Sequence, residues 1–157
     1  MYACVRTDNM SGTVEGKNLV SLKYNGDIEN GCVVAVGDLI EGEREVRNAT
    51  APAKTDKVAD LALIATPEVI KSRTYHGLSE FINLRGSILR GYRLTSKDVF
   101  SITKEGFEAG ATLAKGSIVE LNGSAKLNAV AEATGATNTV VGKIIAVEDE
   151  WYVIEVA

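Results

Sequence analysis

Residues 140–156 read Val-Val-Gly-Lys-Ile-Ile-Ala-Val-Glu-Asp-Glu-Trp-Tyr-Val-Ile-Glu-Val. Two apolar runs, 140–147 and 151–156, flank Glu148, Asp149 and Glu150. Short β-branched runs joined by a few polar residues read as a hairpin. In the second run Tyr152, Ile154 and Val156 alternate with Trp151, Val153 and Glu155, the two-residue period of a strand. Upstream, 117–121 and 126–131 are further strand candidates, separated by the turn Asn122-Gly123-Ser124, and 133–138 is a loop. Residues 95–104 (TSKDVFSITK) alternate in the same way.

The front half repeats the pattern. Residues 19–24 (LVSLKY) form a first strand, closed by the tight-turn signal Asn25-Gly26. After Asn30-Gly31, Cys32 to Val36 is a short apolar run that fits a buried strand. Residues 41–47 carry Glu41, Glu43, Arg44, Glu45 and Arg47, a solvated charged edge, and 48–56 reads as a loop. Residues 58–66 (VADLALIAT) suit a strand apolar on both faces, stopped by Pro67. A weak internal echo links 29–36 with 114–121, and 58–64 with 140–146. Two related small β lobes would produce it, and so would the small vocabulary of short β runs.

Two regions depart from this rhythm. Residues 1–18 are polar and hold no lasting apolar period, which predicts an extended arm, ordered or not. Residues 68–94 carry Lys71, Arg73, Arg85, Arg90 and Arg93 against Glu68 and Glu80, with Tyr75, Phe81 and Tyr92 among them. Gly77 and Gly86 limit this stretch to one short helix, so it reads as a long connecting segment. The expected organisation is a mainly β chain: an arm at 1–18, a β lobe at 19–70, a connection at 71–94 and a second β lobe at 95–157. The core is expected to include Val34, Val36, Leu61, Leu63, Ile102, Ile118, Leu121, Ile144, Val147, Val153 and Ile154, with Trp151 half-buried.

Composition narrows the function classes. The chain has 157 residues, 45% apolar and 24% charged, ordinary globular values. Fifteen Gly against two Pro suits turn-rich β structure. A net charge of −4 argues against nucleic acid and anionic membrane as partners. No run approaches a membrane span, and the first residues lack the apolar core of a signal peptide. One His and two Cys exclude a structural zinc site of four such ligands. Cys4 and Cys32 read as free thiols of a reducing compartment, Cys4 exposed in the arm and Cys32 buried; a single disulfide between them stays open.

Catalytic constellations are sparse. Any Ser–His–Asp or Cys–His system must use His76, which reads as a loop histidine. The Glu148-Asp149-Glu150 tip reads as a solvated turn rather than a cation site. No phosphate-loop or dinucleotide motif is present. The expectation is a non-enzyme without cofactor or metal. The basic, aromatic stretch 71–93 is a docking candidate, because Arg and Tyr are favoured interface anchors. Pairing of its Arg residues with the acidic strands of the same chain is the bland alternative, and a phosphate-binding patch is a third reading.

The order of elements resembles the small capsid decoration, or cement, proteins of tailed bacteriophages. The likeness is carried by 25–31 (NGDIENG), Gly37-Asp38 with 41–45 (EGERE), and 66–69 (TPEV). Residues 90–94 (RGYRL) leading into 97–101 (KDVFS) add to it. So do 115–121 (KGSIVEL), 141–145 (VGKII) and 151–156 (WYVIEV). This resemblance implies a structural protein made in the host cytoplasm that binds the outside of an expanded shell, with the major capsid protein as partner. Assembly with further copies of itself is a second expectation. The implied contacts are Tyr2, Val5 and Arg6 of the arm and Arg73, Tyr75, Phe81, Arg85, Arg90 and Tyr92 of the connecting stretch. The alternative is an SH3-like β-barrel module that binds RNA or a partner protein. A third possibility, a small β enzyme with a site shared between subunits, would need His76 for turnover.

Overall fold

The computed structural model describes residues 1–70, 74, 77–135 and 137–157. Among them the chain is mainly β and forms no α-helix. The strands are β1 (Val5–Asn9), β2 (Leu19–Tyr24), β3 (Val33–Leu39), β4 (Val46–Thr50), β5 (Leu61–Ile64) and β6 (Ile88–Arg93). They continue with β7 (Val99–Thr103), β8 (Ile118–Glu120), β9 (Asn128–Val130), β10 (Val140–Glu148) and β11 (Trp151–Val156).

Strands β2–β6 close into a barrel in the order β2-β4-β3-β5-β6, and the rest form a six-stranded sheet in the order β1-β7-β11-β10-β8-β9. Beneath the different outlines lies one strand path. In the barrel β2 pairs β6, β6 pairs β5, β5 pairs β3 and β3 pairs β4, all antiparallel. In the sheet β7 pairs β11, β11 pairs β10, β10 pairs β8 and β8 pairs β9, again all antiparallel. The segments that echo each other in sequence hold equivalent places, β3 with β8 and β5 with β10.

Two apolar clusters follow from strand alternation. Leu22, Val34, Ala62, Ile64 and Leu89 fill the barrel. On the opposite face of β5, Leu61 and Leu63 join Val33, Phe100, Ile102, Ile144 and Ile154 in a core shared with the sheet. The 58–66 run is therefore apolar on both faces because each face meets a different lobe. Polar ties cross the same junction. Lys126 Nζ lies 3.1 Å from Glu29 Oε1, and the Thr139 amide donates to the Lys54 carbonyl at 2.7 Å.

Two strand glycines, Gly91 and Gly142, sit where an added Cβ would be crowded. A Cβ at Gly91 would lie 2.7 Å from Leu22 Cδ1 inside the barrel. One at Gly142 would run into the Glu155 carbonyl of the neighbouring strand.

Several expectations are corrected. Residues 1–18 are extended in part, but they are not a free arm: β1 pairs with β7, and Ala3, Cys4 and Met10 are buried. Asp98 holds the following turn by accepting from the Ser11 amide at 2.8 Å. Cys4 is consequently buried, and neither cysteine is in a disulfide. Residues 88–93, expected within a connection, are the strand that completes the barrel, and β4 takes 46–47 of the charged edge together with 48–50 of the expected loop. In the 68–94 stretch the described residues hold a single 3-10 turn at Leu78–Glu80. Val147 is 43% exposed, paired opposite Tyr152 one residue from the end of β10, where the hairpin runs out towards its acidic tip. Val36, Ile118 and Val153 are half-buried, and Trp151 is buried rather than half-buried.

Candidate partner-binding clefts

The wall of the barrel around β2 carries a cleft of about 670 Å³. Its floor is β2, where Ser21 stands between Val46 of β4 and Arg90 of β6. Strand alternation explains the placement. Val20 and Leu22 point into the barrel, so Leu19 and Ser21 face outward. Arg44 enters from the β3–β4 turn, Arg47 from β4, Arg90 and Arg93 from β6, and Lys17 from the 3-10 turn before β2. Among the described residues, Glu45 is the one carboxylate in the lining.

These cations are largely uncompensated. Lys17 pairs with Glu15 at 3.2 Å on the exposed rim. Arg47 donates from Nη1 to the Gly37 carbonyl at 3.2 Å, which steadies it against the β3 backbone. Among the described residues, Arg44, Arg90 and Arg93 have no carboxylate within ion-pair distance. The apolar side chains of Leu19, Leu39 and Ile88 lie exposed in the same lining. A second, smaller cleft of about 190 Å³ adjoins it, with Thr66 and Pro67 in both linings.

The residues expected to bind a partner fall in several places. Val5 and Tyr92 come together in the smaller cleft, and Arg90 lines the larger one. Tyr92 is also half-buried against the shared core. Arg6 is committed within the fold, its guanidinium 3.8 Å from the centre of the Trp151 ring. The Tyr2 amide donates to the Ser79 carbonyl at 2.7 Å, beside the turn that precedes half-buried Phe81. Arg85 is exposed at the far end of the stretch, its amide donating to Asp27 Oδ1 at 2.8 Å. Arg73 and Tyr75 lie outside the described residues, as does His76.

Sequence reasoning missed Arg44, Arg47, Leu19, Leu39 and Ile88 as neighbours of Arg90. Arg44 and Arg47 were hidden by the flanking Glu41, Glu43 and Glu45, which made the segment read as a balanced edge. Their one signal was Arg47, set at the start of an apolar-flanked strand instead of in a turn.

Other polar groups are fully employed inside the fold. Burial disfavours ionisation of Glu120, but hydrogen bonds from Thr134, Asn138 and Asn128 outweigh it and hold its carboxyl below the usual range. Burial pushes the Cys32 thiol up to about 12 and raises Cys4 as well, so both thiols are protonated at neutral pH. Among the described residues no group of three or more His, Cys, Asp or Glu gathers closely enough to hold a metal ion. No helix of the described residues is long and apolar enough to cross a membrane.

Comparison of the chain with protein-family models, with curated proteins and with solved structures found no match to any of the three.

Proposed function

We propose that this chain is a non-enzymatic docking protein that binds the outer surface of an expanded bacteriophage shell and stabilises contacts between major capsid protein subunits. The observation that carries the reading is the make-up of the barrel wall. Unpaired arginines beside exposed aliphatic side chains are the composition of a protein-docking surface, where Arg is enriched and apolar contacts provide the buried centre. The resemblance of the chain to decoration proteins supplies the kind of partner. A β body with a shared core suits such a role, because little ordering entropy is lost when a rigid surface docks. Many copies binding one assembled shell sum to a large stabilisation even when each binds modestly.

The test is co-sedimentation of the purified chain with expanded empty shells and with unexpanded precursor shells. Saturable binding to expanded shells, with a higher rupture temperature, is the expected result. Absence of binding to both would remove the reading.

The closed five-stranded barrel favours a second reading, an SH3-like module that binds RNA or a partner protein. Salt-dependent binding of oligonucleotides would mark its RNA form.

A further inference from the structure

The chemistry of the cleft on the barrel wall names the kind of segment it takes. On a chain of net charge −4, the described residues of this cleft gather five cations against one carboxylate. We infer that it seats an extended, acidic segment of a partner protein, with carboxylates on Arg44, Arg90 and Arg93 and apolar side chains on Leu19, Leu39 and Ile88.

Three features select this occupant. First, Arg44, Arg90 and Arg93 have no ion-pair partner among the described residues, so their guanidinium forks are available for bidentate carboxylate pairing. Second, β2, β4 and β6 are each paired on both edges in the closed barrel. An incoming segment therefore cannot add as a strand, and recognition must run through side chains, where alternating charged and apolar residues match the lining. Third, no aromatic side chain among the described residues lines the cleft. Single-stranded nucleic acid is held by base stacking as well as by cations, and the lining provides only the cations. The acidic remainder of the chain also repels a long polyanion while tolerating a short one seated in the cleft.

The inference deepens the docking reading by naming the partner's chemistry, and the two fail separately. Shell binding that survives loss of the cleft cations would overturn the inference and leave the docking reading standing. Fluorescence anisotropy with the full chain provides the direct test. The probes are labelled dodecapeptides of alternating Asp and Leu, Asp and Ser, or Lys and Leu, and an oligothymidylate of equal length.

The Asp/Leu peptide is expected to bind most tightly, with the Asp/Ser peptide weaker and the Lys/Leu peptide not bound. The triple variant Arg44→Gln, Arg90→Gln, Arg93→Gln is expected to lose about tenfold or more in affinity, equivalent to ~1.4 kcal/mol or more. The triple variant Lys104→Gln, Lys115→Gln, Lys143→Gln changes net charge equally at exposed sites outside the cleft and is expected to bind as the parent does. Thermal melting of both variants establishes that they are folded. Equal losses in the two variants, no binding of the Asp/Leu peptide at low salt, or tighter binding of the oligothymidylate would each overturn the inference.

Discussion

In the first lobe β2 lies parallel to β4 from Ser21↔Val46 to Tyr24↔Ala49, and the barrel shuts. In the second lobe the equivalent approach is one parallel bridge, Phe107↔Leu127, beyond the end of β7. The Glu108 amide donates to the Leu127 carbonyl at 2.8 Å and the Leu127 amide to the Gly106 carbonyl at 3.1 Å. The edge of β7 that closure would have used is taken by β1 instead. The same strand path thus ends in a closed barrel or in an open sheet according to what covers one edge. A closed barrel has no exposed edge, whereas an open sheet must have its edges covered or interrupted. Here β1 does the covering, its bulge between Arg6 and Asn9 disturbs further pairing, and β9 at the other edge is only three residues long.

If β1 replaces barrel closure in the second lobe, its removal must harm that lobe first. Deleting residues 1–10 strips the β7 edge and takes buried Ala3, Cys4 and Met10 from the fold. A loss of about 4 kcal/mol or more is expected, since a buried Met alone contributes roughly 2–5 kcal/mol. Hydrogen exchange should locate the damage. The Thr103 amide, which donates to the Cys4 carbonyl, should lose protection while amides of β2 and β6 keep theirs. Equal loss in both lobes would mean that the barrel does not stand without the sheet, and the contrast would fail.

A smaller effect compares the two tight glycines. Overpacking typically costs about 1–3 kcal/mol. Gly142→Ala is expected near the top of that range, because the obstacle is the backbone carbonyl of Glu155, which cannot rotate away. Gly91→Ala should cost less, because Leu22 Cδ1 and Val20 Cγ1 are side-chain ends that can turn. Urea unfolding of the two variants sets the order, and a reversed order would show that the barrel interior is the less yielding of the two.

The smallest effect concerns a carboxylate that only the second lobe has. In the echo of 29–36 with 114–121, Glu120 of β8 stands where β3 has Ala35. Glu120 accepts from the Thr134 amide at 3.2 Å and from Asn138 Nδ2 at 3.1 Å, tying down the β9–β10 connection. Because its folded-state pKa lies below the ordinary 4.5, its ionised form stabilises the protein above that pH. The contribution is lost as pH falls below 4.5 through the folded value. Glu120→Gln should therefore cost about 1 kcal/mol at neutral pH, and the gap to the parent should shrink on acidification. A gap independent of pH would assign the stabilisation to packing rather than to the charge.

Legibility in the sequence follows the range of the forces involved. The 140–156 hairpin, the 19–24 strand and the doubly apolar 58–66 run were readable because alternation and turn residues act locally. The stretch Val5-Arg6-Thr7-Asp8-Asn9 was not readable as a strand. It shows little apolar excess, and its order comes from pairing with β7 across nearly a hundred residues. β6 was obscured for a related reason: Arg90 and Arg93 face the cleft, so charge masked the buried positions Leu89 and Gly91. Of the cleft, only the basic residues of β6 fell within the docking stretch read from sequence, because Lys17, Arg44 and Arg47 come from other segments of the chain.

The sequence by itself determined the β class, most strand positions, the buried state of Cys32 and the hint that the two halves repeat one strand pattern. These rest on local alternation and turn chemistry, which any window of a few residues displays. Tertiary structure alone decided that one lobe closes and the other borrows β1, that β5 serves two cores, and that dispersed arginines share one cleft. Those outcomes depend on which distant backbone edges and side chains meet, and a hydrogen-bond partner or a charge neighbour supplied from afar leaves no mark in the residues nearby.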